Sequence, residues 1–561
     1  MGVGSAISDI VKAGGRRALV GARVGQVLLD RESTGLVASL AGAIVAVGAG
    51  LLALPRRMVS REMTWDLLFN LEGAWHLWNG HVPHVDFHDP LGGLIFLLTA
   101  IGFELVGFSP RAFIAGELVA VAGLFAAALV AVRRRLPMLP GVLFVAFVCL
   151  LVLKPVNVGD NVQFFTFAMA YNAMAWSALT VLSVILFLPP RGVSAAGWLD
   201  TVTAALLLLA LFHIKITYFA AGLVELAAAL VIAPHVARLR RRWIVAGGLV
   251  LAHVLAPWNA PYLADIFTAV GTGAANTDPV ALVIRLFNNI FELCLLVIGL
   301  LIAAWLWRLG MAPPGLPLAA ALIMAVACGV LLQNTQERGL VLSVVVALLL
   351  YDRLRGDPAT AHPRFSRWML MALLVLPAAS VLKQSAALAG YAYEAVRSTA
   401  LFTFDDRTAL EGLSVPGGSA ALMEAAQAYP GAYDVFSAIR ASGIGEEEVS
   451  QYEYAQSLLD AAALFDHPAR GEGAMVVLDQ VNPLPFMLRR PPPRGGALWL
   501  DLSFPWRSDE ETLGDADYVL VPKFPTYRAV TRAAVARYHD YIASHFPVRA
   551  ENRSWLLYSR R

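Results

Sequence analysis

TWDLLFNLEGAWHLWNGHVPHVDFHDPLGGL, running from Thr64 to Leu94, is the stretch whose reading decides the fold. It lies just beyond the first strongly apolar segment, Thr34–Leu54. It gathers Asp66, Glu72, Asp86 and Asp89 with His76, His81, His84 and His88, beside Trp65, Trp75 and Trp78. Acids, imidazoles and indoles collected immediately outside a first span mark a site at a membrane surface. The run from about Trp65 to Asn79 reads as a helix, whereas Pro83 and Pro90 argue against one further on.

Composition fixes the class around that stretch. Hydrophobic residues make up 58% of the chain and charged ones 15%, and the apolar residues fall in blocks separated by short polar breaks. This is the pattern of an α-helical polytopic membrane protein. Basic residues flank the apolar blocks and form no stripe on a soluble face, which excludes nucleic acid as a partner and leaves membrane lipid. Cys149, Cys294 and Cys328 all fall inside apolar runs and read as small core residues.

Taken in order, residues 1–33 carry Lys12, Arg16, Arg17, Arg23 and Arg31 and read as a cytoplasmic amphipathic lead-in. A transmembrane domain over residues 34–384 follows, with an outer loop at 55–90. Its further apolar segments lie near 91–108, 112–132, 138–153, 172–189, 199–212, 216–233, 243–257, 280–306, 315–332, 338–351 and 367–384. Placing the cluster Arg353, Arg355, Arg364 and Arg367 in the cytoplasm puts the other dense basic clusters there too. That register sets Thr64–Leu94 outside, and segment 91–108 must then re-enter or lie along the membrane, covered by other protein. The expectation is about 11 spans in a cytoplasmic (inner) membrane, N-terminus inside and C-terminus outside; 12 spans with Thr64–Leu94 inside is the alternative.

Residues 385–561 change in composition and read as a small extracytoplasmic α/β domain. Ala474–Asp479, Ala497–Leu502, Asp517–Pro522 and Ser554–Ser559 are strand-like, and Ala529–His545 has helical periodicity. Trp499, Trp506 and Tyr527 read either as stacking residues for a glycan or as core aromatics.

An acid shortly after the first span, then GHVPHVDFHDPLGGL, then LVGFSPRAFIAGELVAVAGLFAAALVAVRRRL resembles the membrane glycosyltransferases of the GT-C fold. The resemblance is to the branch that includes aminoarabinose and mannose transferases using polyprenyl-phosphate sugars. It is fullest over Asp66–Leu136 and extends to the C-terminal domain through LDQVNPLPFML and the ending SWLLYSRR. It implies that Asp66 is the catalytic or metal-binding carboxylate of the first outer loop. The chain departs from the family pattern in having no second acid directly beside Asp66.

The chemistry asks for such groups on its own terms. Sugar transfer from a lipid phosphate needs a base on the acceptor hydroxyl and a cation or metal on the leaving phosphate. Asp66 suits the base, and it equally suits a first-turn acid stabilised by the helix dipole. In an extended segment His84, Asp86 and His88 share one face, where with Asp66 they are candidates for a divalent metal (Mg, Mn or Ca) or simply for water and headgroup contacts. Glu72 and Asp89 join them as candidate substrate-binding residues, Asp89 being also a turn-former before Pro90. Lys215 and Arg338 are candidate donor-phosphate ligands; the alternatives are a snorkelling lysine and a salt bridge from Arg338 to Glu337. Lys154 and Arg285 are further cations of the same kind.

The function expected is therefore transfer of a sugar from a polyprenyl-phosphate donor to a cell-envelope acceptor (glycan, lipid or protein). A lipid-linked-glycan flippase or transporter, and a non-catalytic accessory protein of polysaccharide assembly, are the rivals.

Overall fold

The computed structural model describes residues 34–191, 197–271, 279–333, 339–355, 363–417, 449–466 and 471–560. The lead-in at 1–33 and Arg338 lie outside them. Each apolar segment read from the sequence is helical. In order the larger helices are Thr34–Ala53, Thr64–Trp78, Leu94–Val106, Arg111–Val132, Met138–Leu153, Ala170–Phe187, Gly197–Ile214 and Ile216–Ile232. Arg240–Val254, Ala260–Gly271, Pro279–Asn288, Ile290–Arg308, Gly315–Gln333, Ser343–Arg355 and Pro363–Arg397 complete the helical part.

The helices sort by what surrounds them. Ala170–Phe187 buries every residue from Tyr171 to Phe187, so its all-round apolarity serves a central position. Ile290–Arg308 buries only Leu296, Gly299, Ala303 and Leu306, a stripe at helical spacing, while Phe291, Ile298, Leu301 and Trp305 face outward. An apolar outer face of that extent suits hydrocarbon and not water. The protein is a multi-pass membrane protein. Among the described residues seven helices are long and apolar enough to cross, or eight if the pair Arg240–Val254 and Pro257–Gly271, bent by 57°, is one span.

That count is below the 11 expected. The difference lies in helices such as Met138–Leu153 and Ile216–Ile232, which are apolar but short. Leu94–Val106, the segment expected to re-enter, has 13 residues. At about 1.5 Å per residue it falls well short of the hydrocarbon thickness. It folds back on Arg111–Val132 through Gly102, where an added Cβ would stand 1.8 Å from the Ala112 carbonyl oxygen. The Ser109-Pro110-Arg111 break supplies the turn between them.

Beyond the helical part, Pro363–Arg397 is one helix, so the composition change near residue 385 falls inside it. Met58–Val59 pairs in parallel with Leu413–Pro416, and Leu401–Thr403 adds on the other side, antiparallel. A second sheet runs Met475–Val477, Tyr518–Pro522, Trp555–Ser559, Val548–Glu551, with the first pair parallel and the rest antiparallel. Its alternate residues serve two cores. Met475, Val477, Leu520 and Leu557 join the core shared with the helical part, whereas Val476, Leu478, Val519 and Leu556 pack under the helix Arg528–His545. Ala497–Leu502, expected as a strand, makes only isolated bridges, His88 to Ala497 and Val481 to Trp499, because it is spent on holding the loop after Thr64–Trp78.

One buried ion pair ties the helical ends together. Arg135 is 1% exposed; its guanidinium meets Asp200 at 2.7 Å and also donates to the Leu188 carbonyl at 2.8 Å. Arg135→Met leaves the Asp200 charge buried and unpaired, and the expected loss is about 3–5 kcal/mol. Arg135→Met with Asp200→Leu is expected to recover most of it, read as melting temperatures of the purified protein in detergent.

Candidate functional site

The helix Thr64–Trp78 is buried along almost its whole length and has no cap of its own. Met63, just before it, sits in the left-handed region at φ 49°, so no local side chain takes the first free amides. The Thr64 amide donates instead to Gln451 Oε1 at 3.0 Å. Farther along, the Phe486 amide donates to Glu72 at 2.9 Å, and Trp75 Nε1 donates to the Arg490 carbonyl at 2.7 Å. The C-terminal region thus grips this helix at its start, middle and end.

Asp66 lies in the first turn of that helix and is 4% exposed. Burial pushes its carboxyl up to about 7, opposed by a hydrogen bond from the Met169 amide. Met169 also has a left-handed backbone, at φ 51°, and opens the helix Ala170–Phe187. Two residues on, the Tyr171 ring takes the Lys215 ammonium at 5.1 Å from its centre. A carboxylate and an ammonium therefore flank one helix start, whose amides carry the positive end of the dipole. In the same place Tyr218 donates to Asn172 Oδ1 at 3.2 Å, while the buried Asn172 Nδ2 meets no protein acceptor.

Lys215 stands at the junction of Gly197–Ile214 and Ile216–Ile232, extended at φ −162°. Asp89 is set beside it by close backbone docking. The Gly92 amide donates to the Ile214 carbonyl at 3.0 Å, and a Cβ on Gly92 would fall 2.1 Å from the His213 carbonyl oxygen. Asp89 accepts from the Leu91 amide at 2.6 Å. Burial pushes Asp89 up to about 8; the Leu91 hydrogen bond and the Lys215 charge oppose this, and Asp265 adds to it.

The face expected from His84, Asp86 and His88 does not form. Residues 82–86 are a turn, with Val85 and Asp86 amides donating to the Val82 carbonyl and His84 at φ 66°, so alternation along a strand does not apply. His84 and His88 nonetheless converge, each placing Nδ1 3.0 Å from Asp265, where Arg507 also arrives at 2.5 Å. Asp86 turns away, accepting from the Val82 amide at 2.8 Å and facing Arg494 at 3.8 Å. Asp66 sits apart at Met169. The expected metal set of Asp66, His84, Asp86 and His88 is therefore not assembled, and among the described residues no three His, Cys, Asp or Glu side chains are arranged to hold a metal ion.

The other expected residues divide in the same way. Glu72 is turned to the C-terminal region, and burial holds its carboxyl well above the usual range despite the Phe486 hydrogen bond. Lys154 is folded onto the Val156 and Asn157 carbonyls of its own loop, and Arg285 donates to the Leu332 carbonyl. Trp499 packs edge-on to Phe69, and Trp506 to Tyr538. Asp265, Arg507, Gln451 and Tyr171 escaped the sequence reading. For Asp265 a signal exists: an acid behind Pro257 and Pro261 in an otherwise apolar stretch marks a broken helix lining protein or water.

No family model matches the chain, and no curated protein matches it. Solved structures similar to it include ArnT from Cupriavidus metallidurans in the apo state, 14% identical over 92% of this chain and 97% of that one, with a TM-score of 0.43. The same protein bound to undecaprenyl phosphate is 16% identical over 94% of this chain and 98% of that one, with a TM-score of 0.40.

Gly92→Val is expected to push the Asp89 loop off the His213 backbone and lower the melting temperature by several degrees. Gly123→Ala, where an added Cβ meets nothing within 4 Å, is expected to leave it unchanged.

Proposed function

We propose that the protein is a membrane glycosyltransferase that moves a sugar from a polyprenyl-phosphate donor to a hydroxyl of a cell-envelope acceptor, on the outer side of the cytoplasmic membrane. The observation that carries this reading is that Asp66, against the Met169 amide, and Lys215, over the Tyr171 ring, both lie at the start of Ala170–Phe187. A carboxylate raised to about 7 is a competent base near neutral pH. A lysine at a helix start suits a departing phosphate.

In the reaction Asp66 takes the proton of the acceptor hydroxyl as its oxygen attacks the anomeric carbon. The bond from that carbon to the phosphate oxygen breaks, and the polyprenyl phosphate leaves with its new charge met by Lys215 and the helix-start amides. Asp89, beside Lys215, sets the position of the ammonium. The turn at 82–86 and the Asp265 cluster hold the loop that carries Asp89.

Asp66→Asn is expected to abolish transfer from radiolabelled polyprenyl-phosphate sugar, by at least about a hundredfold, while the melting temperature is kept. Full activity in that variant removes Asp66 from the mechanism.

The pH dependence follows from the direction of the Asp66 shift. Only the ionised carboxylate accepts a proton, so below about 7 activity is expected to fall roughly tenfold per pH unit. The readout is kcat/KM against pH. A profile flat from pH 5 to 8 contradicts a buried carboxylate base.

A further inference from the structure

Where the Asp66 helix ends, two buried imidazoles face each other. His76, in the last turn, places Nδ1 3.0 Å from Nδ1 of His81, in the loop that follows. On its far side His81 Nε2 accepts from Arg494 Nε at 3.4 Å. At the other end of the row His76 Nε2 stands 3.6 Å from Glu72 Oε1, a buried oxygen that accepts no hydrogen bond.

A single arrangement of protons fits this row. A guanidinium only donates, so His81 Nε2 must carry the lone pair. The proton of a neutral His81 is then on Nδ1, given to His76 Nδ1, and the proton of His76 is on Nε2, toward Glu72. A second proton on His81 has one place to go, Nε2, where it meets the Arg494 N–H with no acceptor between them.

We propose that His81 is a proton-operated latch: neutral, it holds Arg494 of the C-terminal region against the loop after the Asp66 helix, and on taking a proton it releases that arm. The arm lies at the edge of a larger clasp. Beside it the Gly495 amide donates to the Asp86 carbonyl at 2.6 Å, the His88 amide to the Gly496 carbonyl at 3.0 Å and the Leu498 amide to the His88 carbonyl at 2.9 Å. Release therefore loosens the seat of the loop that carries Asp89.

The groups around His81 set the direction. Burial first, and the Arg494 charge second, hold its imidazole below the usual range, while Asp86 and Asp515 oppose them. His76 is lowered to about 3 by burial and by His81, so the proton goes to His81. Glu72 and His76 stay packed in the helix, against the Phe486 amide and the Phe87 ring. A ring freed of Arg494 titrates near its ordinary 6.5, so release is favoured as pH falls through that value, by up to about tenfold per unit. The latch is independent of the chemistry proposed at Asp66.

The test is hydrogen–deuterium exchange of the full chain in phosphatidylcholine nanodiscs at pH 7.5 and 5.0, corrected for the intrinsic pH dependence of amide exchange. In wild type, opening over residues 494–498 is expected to increase about tenfold at the lower pH. His81→Asn, whose amide can donate to His76 but takes no proton, is expected to lose that step. Arg494→Gln is expected to show the raised opening already at pH 7.5; the Arg494 side chain is 61% exposed, so this variant keeps the fold. A histidine NMR titration of the same samples reads His81 directly, by the resonance missing from His81→Asn. It is expected below 6.5 in wild type and to move upward in Arg494→Gln.

A wild type with no step overturns the latch. So does a step of full size in His81→Asn, which assigns it to other groups such as His84 and His88, or a His81 titration that Arg494→Gln leaves in place.

Discussion

The helix that carries Asp66 begins with its free amide satisfied by Gln451, 387 residues away in sequence, and everything in the candidate site depends on that contact. A helix start left bare in a buried place costs stability, since each unpaired amide loses its hydration without a partner. Here the cap is supplied by the chain's far end, and Glu72 and Trp75 extend the same grip. The Asp66 helix is therefore held on one side by the C-terminal region and on the other by the Met169 amide. Its carboxylate is fixed in place with very little room to reorient.

A second clamp works on the loop that follows. Asp265 draws in His84 and His88 from that loop and Arg507 from the C-terminal region. One carboxylate so surrounded by donors is fully paired, which makes a buried charge tolerable. The Ala497–Leu502 segment adds backbone bonds, with His88 donating to Gly496 and Leu498 to His88. Asp89 and Gly92, just after, are pressed against His213 and Ile214, and Lys215 follows. Three elements far apart in sequence thus position the pair on which the proposed chemistry turns. Three residues of the region, Met63, His84 and Met169, adopt left-handed backbones without being glycine, the kind of local strain that sites accept when their surroundings enforce it.

Much of this was legible in the residues themselves. Apolar runs long enough to be helices announce themselves whatever packs against them, so each apolar segment from 34–54 to 367–384 is helical. The helix over Asp66 and the strands near 475, 518 and 555 were legible for the same local reasons. What failed were readings that depend on distant partners. Residues 82–86 read as extended from their prolines, but a turn closed by the Val82 carbonyl re-aims Asp86. Ala497–Leu502 has the alternation of a strand, yet its partner is the loop at His88 and not a sheet neighbour. Gln451 carries no local mark of its role, because it acts through a contact 387 residues away in sequence, and the prolines before Asp265 mark a broken helix without naming its partners.

The proposed chemistry requires Asp66 and Lys215, both at the start of Ala170–Phe187, to act on one lipid-phosphate sugar. The most direct measurement is a cryo-electron-microscopy reconstruction of the protein in lipid nanodiscs with polyprenyl phosphate added. The account predicts phosphate density in hydrogen-bonding contact with Lys215 Nζ, in a cavity that also exposes the Asp66 carboxylate. Phosphate held elsewhere, with Lys215 closed off by Asp89 or Asp66 sealed behind Met169, would contradict it.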